Sequence, residues 1–419
     1  MKKLLCTILA LACFSAAALA TSVTDFGADP TGKTDSSEAF NKAIEAANAP
    51  DSVTRVVNVP GGIYLIDNPV ELANGIYLKG EGKKAVSITI ARHDFVPFSM
   101  WHGCRIEGMC FNYPNNQETI HPKKAEPTIM LRGCNPEVVE VAFGGAWTCI
   151  STPEGVETNA GGGLFRDING WSHYRGIVIS GAMDINKFEN IHWFVGGTTV
   201  SDQAFYAKNR VCFDFGRQDG VMMNQCFTIL SKTFYQQRPT IKVDGKNETA
   251  HSLPHFISNC WVEHVQNGFI FEGNGGFAID SCQILTYPGG VGINVSNDMI
   301  FYNASVTSTQ VRCTGGGNLI GLIYDPKKSH PRTKLSVSDF QVIDGYPAVK
   351  IGKNARNFTM LGSHFMCSGG IWIEDGADKL MICNNIIDYW PGGYSIKNNN
   401  KPGDSIIIKD NIQHKLKEF

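Results

Sequence analysis

The chain has 419 residues, 43% hydrophobic and 18% charged, with a formal net charge of -2. That is enough apolar sequence for a large buried core, and it excludes a disordered chain. The near-neutral balance argues against nucleic acid as the main partner, because neutralising phosphates needs a basic face.

Residues 1–20, MKKLLCTILALACFSAAALA, join two lysines, an apolar run and a small-residue end. The segment reads as a secretory leader cut after Ala20, too short for a membrane anchor. Cys13 admits a lipoprotein alternative, but Ala10 stands where a leucine would favour it. The mature chain is expected to be secreted or periplasmic. Thirteen cysteines less Cys6 and Cys13 leave eleven. They show no C-x-x-C pair and no zinc spacing, so most read as small buried apolar residues.

The mature chain opens VTDFGADPTGKTDSSEAFNKAIEAAN, Val23 to Asn48. The strand, turn, lysine and helix suggest a phosphate loop, but the G-x-x-x-x-G-K-[ST] spacing is missing. Asp35 or Ser36 can cap the helix. Ala39, Phe40, Ala43, Ile44 and Ala47 give it one apolar face. Two strand-like segments with glycine turns follow, VVNVPGGIYLI (56–66) and GIYLKGEG (75–82).

Further along, short strands recur with a period in the low twenties. FISNCWV (256–262), AIDSCQI (278–284) and FYNASVT (301–307) place Val262, Ile284 and Val306 at steps of 22, with Cys260, Cys282 and Ala304 in one register. Strands without helices at this period mean a solenoid, in which like residues stack on successive coils about 4.8 Å apart. Asp167, Asn190, Asn259 and Asn303 then read as a ladder satisfying turn backbone groups. Stacking brings Cys260 near Cys282, as a disulfide or as two reduced thiols. A solenoid needs capped ends, and the helix suits the first coil.

The segment FGADPTGKTDSSEAFNKAIEAA, then VVNVPGGIYLI, then GIYLKGEG, resembles the N-terminal signature of the pectate-lyase-like superfamily. More narrowly, it resembles the rhamnogalacturonase/epimerase-like pectate lyase domain. The resemblance is specific over 23–82 and rests on coil rhythm alone beyond that. It implies an all-β, right-handed parallel β-helix with a short N-terminal capping helix, and a polysaccharide ligand. The expected layout is the leader at 1–20 and one β-helix domain at 21–419. Within it, 23–82 form the cap and first strands and 83–412 the coils. The polygalacturonase elements Asn-Thr-Asp, Asp-Asp, Gly-His-Gly and Arg-Ile-Lys are absent, as are those of calcium-dependent pectate lyases. No catalytic residue carries over by motif.

Residue chemistry alone points to 171–264. WSHYR supplies Trp171, His173 and Arg175, and IHWF supplies His192 and Trp193. FDFGRQDG supplies Asp214, Arg217 and Asp219, and WVEH supplies Trp261, Glu263 and His264. Two excursions, 196–210 and 231–255, would wall a groove over these coils. The expected catalytic set is Asp219, Glu263, His264, Asp214 and Arg217. The expected sugar contacts are Trp171, His173, Arg175, His192, Trp193 and Trp261. Each has a plainer reading: stacked core aromatics, turn histidines, a turn aspartate beside Gly220, an ion pair at Asp214.

A glycosidase needs two carboxylates across the bond. A lyase needs a base beside a cation, with calcium admitted but required by nothing in the sequence. The leading expectation is an exported protein cleaving a pectin-like or other uronate-containing glycan by hydrolysis or β-elimination. The rivals are a non-catalytic glycan-binding solenoid and a polymer-level epimerase. With no stalk-like segment, a monomer is expected, without nucleic-acid or membrane partners.

Overall fold

The computed structural model describes residues 21–417, apart from 156–158, 197–203, 244–245, 250–251, 274, 297–302, 328–330, 332 and 402–404. The leader at 1–20 lies outside the described residues. Thirty-four strands join by parallel pairing into one continuous ladder. The exception is an antiparallel hairpin of Thr240–Val243 and Lys246–Thr249. The chain is a right-handed parallel β-helix.

Each coil follows from one local rule. A short strand alternates inward apolar with outward polar residues, as in the buried–half-buried pattern of Phe277–Asp280. It ends at a residue in the left-handed region, and a second strand leaves at an angle. These corner residues recur coil after coil: Asp167, Asn190, Gln225, Asn259, Ser281, Ser308, Asp339, Asn384 and Asp410 all have φ between 46° and 57°. Asn and Asp tolerate this region better than other side-chain-bearing residues, because their short polar side chains bond locally. Asn190 Nδ2 donates to Asp167 Oδ1 at 2.7 Å, and Asn259 Nδ2 to Asn224 Oδ1 at 3.0 Å.

Asn303 is not part of this ladder. It opens the strand Asn303–Thr307 opposite Lys334. The 22-residue step misplaced the register there: Ala304 faces Phe277, Val306 faces Ile279, and the partner of Ile284 is Val311. Successive corners are 22 residues apart from Asn259 to Ser281 but 27 apart from Ser281 to Ser308.

Inside, aromatic rings stack along the axis. Phe165 lies flat on Phe188 at 5.0 Å, and Phe271 on Phe277 at 3.9 Å. Phe213, Phe234 and Phe269 continue the column edge to face. Burial of each such ring contributes about 1.5–3 kcal/mol. All eleven described cysteines are free. Cys226, Cys260 and Cys282 sit just past successive corners, each thiol pointing to the carbonyl two residues back. Of the two readings for Cys260 and Cys282, the structure holds reduced thiols.

Helix α1 (Ser37–Asn48) closes the first coil. Its Ala39, Phe40, Ala43, Ile44 and Ala47 are buried. Phe40 meets Tyr64 at 5.7 Å and Phe98 at 6.4 Å, so the cap starts the aromatic column. Ser36 precedes the helix without a side-chain capping bond. Asp35 supplies it instead, accepting from the Ser37 amide at 3.0 Å and the Asp67 amide at 3.1 Å.

Candidate functional site

Four successive coils bring one polar and aromatic surface together. At the corner between the two strands lies a cleft of about 610 Å³. It is lined by Arg166, Asp167, Glu189, Asn190, His192, Gln225, Cys226, Phe227, Asn259 and Trp261. Strand register explains the grouping. His192 stands opposite Phe227, and Phe227 opposite Trp261. With a strand spacing of about 4.8 Å, this lining spans about 14 Å along the axis. Trp261 is 48% exposed and Phe194 38%. His192 packs edge-on to Phe194 and Phe227, at 5.8 and 5.6 Å. The result is an outward aromatic row beside a row of amides and charges.

The charges are partly committed. Asp167 takes the Asn190 amide and lies 3.4 Å from Arg166 Nε. Lys83 reaches in from the first coils to bond the Asp167 carbonyl at 3.1 Å. Burial, and then the nearby Lys83 ammonium, hold the His192 imidazole below its ordinary pKa. It is therefore neutral at pH 7 and offers one donor and one acceptor.

Of the eleven expected residues, His192 and Trp261 line this cleft. Glu263 is two residues beyond Trp261 on the same half-buried outer face of Trp261–Phe271. His264 has φ 51°, placing it at a second corner, with its ring 6.0 Å from Tyr287. Trp193 is fully buried and packs on Phe213, so it is a core residue that solvent-borne sugar cannot reach. Trp171 is nearly buried beneath Gly196, where a Cβ would sit 2.4 Å from its ring. His173 is buried with Nε2 2.9 Å from the Asn116 carbonyl, and burial pushes its pKa down to about 4.

Arg175 and Asp214 form a pair on another face, Nε to Oδ2 at 2.8 Å. Arg238 Nε holds the other oxygen of Asp214 at 3.0 Å. Arg217 and Asp219 are half-buried at the following turn, where the Asp219 amide bonds Ala182. The fold thus separates Asp219 from Glu263 and does not make them a pair.

The excursions are also redrawn. Residues 231–237 continue the coil strand Phe227–Gln237, and the insertion beyond it contains the hairpin. The earlier excursion carries a short helix, Phe205–Asn209. It ends at Arg210, a fully buried guanidinium that bonds the carbonyls of Phe194 and Ile229, both at 2.8 Å, and Ser231 Oγ at 3.0 Å. Sequence reasoning did not single out Arg210, Arg166, Glu189, Phe227 or Lys83. Only the coil register, extended back from Trp261, could have found Phe227 and Glu189. Nothing in the sequence ties Lys83 to Asp167, 84 residues away.

Residues 20–124 match the sequence model of the family described as rhamnogalacturonase A/epimerase, pectate lyase-like. No curated protein matches the chain. Among solved structures, the Dettilon tailspike protein aligns with 94% of this chain and 68% of its own at 10% identity, TM-score 0.55. The catalytic unit of the α-1,3-glucanase from Streptomyces thermodiastaticus aligns over 95% and 69% at 15% identity, TM-score 0.50. The N-terminal fragment of bacteriophage Phi29 gene product 12 aligns over 88% and 66% at 13% identity, TM-score 0.50. These are likenesses of fold. The chain is a right-handed parallel β-helix whose residues 20–124 are similar to the family described as rhamnogalacturonase A/epimerase, pectate lyase-like.

Proposed function

We propose that this is an exported polysaccharide-binding protein and that the cleft over the middle coils is its glycan site. The observation that carries the reading is the row of exposed Phe194 and Trp261 with half-buried His192 and Phe227 beside Arg166, Glu189, Asn190 and Asn259. Aromatic rings offer apolar faces to sugar rings, and fixed amides and charges match hydroxyls. The open cleft suits a polymer running across several coils.

Cleavage of the bound polymer is the second reading, favoured by Glu263 on the same face as Trp261. In it Glu263 and His264 act as acid and base near the aromatic row, and Asp214, Asp219 and Arg217 lie apart from it. The family description and the α-1,3-glucanase likeness choose two of the probes, a pectic polymer and α-1,3-glucan, and alginate serves as a second uronate polymer. Binding is read by affinity electrophoresis, and chemistry by new reducing ends and by ultraviolet absorbance of unsaturated uronate. Retardation by at least one polymer is expected. No retardation by any of the three contradicts the proposal.

A further inference from the structure

A thiol and an imidazole meet at a corner of the early coils. The strands Val70–Leu72, Phe98–Met100 and Ile129–Leu131 stack on successive coils, Val70 facing Phe98 and Phe98 facing Ile129. The strands that follow them stack in turn, Tyr77 facing Arg105 and Arg105 facing Glu137. The corners between are therefore stacked too. The Gly75 amide bonds the His102 carbonyl, and the Gly103 amide the Cys134 carbonyl, both at 2.8 Å. Asn74, His102 and Cys134 hold one position on the three corners. A ladder of side-chain acceptors runs through them. Asn74 Oδ1 accepts the His102 amide at 3.2 Å, and His102 Nδ1 accepts the Cys134 amide at 3.1 Å.

The second corner thus carries an imidazole where the first makes do with an asparagine, and the third places a thiol within its reach. His102 Nδ1 lies 3.2 Å from Cys134 Sγ. Because Nδ1 accepts an amide N–H, the neutral ring is assigned its proton on Nε2, and the Nδ1 lone pair faces Cys134. Gly133 permits this approach, since a Cβ there would sit 2.6 Å from the His102 amide nitrogen and 2.8 Å from Nδ1. Asn135 Nδ2 donates to the same sulfur at 3.8 Å.

This thiol differs from the others. Nine of the eleven described cysteines are buried, and burial pushes the Cys110 thiol up. Cys134 is half-buried, with exposed His102 and Asn135 against it. A nucleophile in hydrogen-bond reach of an oriented base is the arrangement that activates a thiol. Exchange with a disulfide needs only a thiolate that can reach a sulfur–sulfur bond and a proton for the leaving thiolate. The Cys134–His102 pair can supply both.

We propose that Cys134 is a nucleophilic thiol, with His102 as its base, that exchanges with low-molecular-weight disulfides and retains the mixed disulfide. The thiol proton passes to His102 Nδ1. The Cys134 sulfur bonds one sulfur of the disulfide as the sulfur–sulfur bond breaks, and the departing thiolate takes the proton from Nδ1. One disulfide is lost and one is formed, so no further oxidant enters. Neither residue lines the middle-coil cleft, so the assignment is independent of the glycan reading.

The test uses the full mature chain under native conditions. Exchange with dithiobis(nitrobenzoate), an aromatic disulfide, is followed by the absorbance of the released thiolate, and exchange with oxidised glutathione by intact mass. One thiol per chain is expected to react promptly at pH 7 and to take one glutathionyl group, and Cys134→Ser is expected to lose both. His102→Asn keeps an acceptor for the Cys134 amide, as Asn74 provides one coil earlier, but has no base. It is expected to slow exchange about tenfold or more at pH 7, where an unassisted thiol is only a few per cent ionised. At about pH 10 the thiol ionises unaided, and the two rates should converge. Prompt labelling that survives Cys134→Ser, or no labelling of the wild type, overturns the site. Equal rates of His102→Asn and wild type at pH 7, or the same slowing at both pH values, overturns His102 as the base.

Discussion

His255 should make the fold acid-sensitive. It is fully buried at the start of the strand His255–Ser258, its Nδ1 bonded to the Tyr235 hydroxyl and its Nε2 without a partner among the described residues. Burial pushes its pKa down to about 3. The unfolded chain titrates it near 6.5. Between those values the unfolded state binds a proton that the folded state refuses, so stability is present above pH 6.5 and is lost as the pH falls. The slope is about 1.4 kcal/mol per pH unit, and the whole window is worth on the order of 5 kcal/mol. Urea unfolding at pH 7, 6, 5 and 4 of the wild type and of His255→Gln isolates this proton, because other groups titrate alike in both. The wild type is expected to lose about 1.4 kcal/mol more per unit than the variant. Parallel stability curves would refute the argument that this histidine is held neutral.

Two further outcomes test the cap and the core. Phe40→Ala removes the ring that joins the cap to Tyr64 and Phe98, and a loss of about 3–5 kcal/mol is expected in urea unfolding. A loss below about 1 kcal/mol would mean that the helix merely rests on the coil end. Burial raises the Cys260 thiol far above its ordinary range, and a hydrogen bond with the Cys260 thiol, together with burial, does the same for Cys282. Neither should react with a thiol reagent at pH 8 until the chain is unfolded. Prompt labelling of either in the folded protein would contradict the stacked interior.

How much of this was legible depends on which physical rule wrote each feature. The cap was legible because helical spacing of Phe40 and Ile44 is a local signal. The corner ladder was legible at Asp167, Asn190 and Asn259, since left-handed backbone selects Asn and Asp. It failed at Asn303, where the spacing of the corners changes from 22 to 27 residues. Aromatics in the middle coils could not be sorted into core and surface by residue type. Trp193 and Trp261 lie in similar strands, yet one faces inward and the other outward, and a one-residue change of register reverses the face.

Glycan affinity of Trp261→Ala measures the central claim most directly, with Phe256→Ala, an exposed ring outside the cleft, as control. For whichever polymer retards the wild type, Trp261→Ala is expected to weaken binding about tenfold, a stacking contribution near 1.4 kcal/mol. The control should bind as the wild type does. Equal affinity of Trp261→Ala and wild type would contradict the cleft as the glycan site.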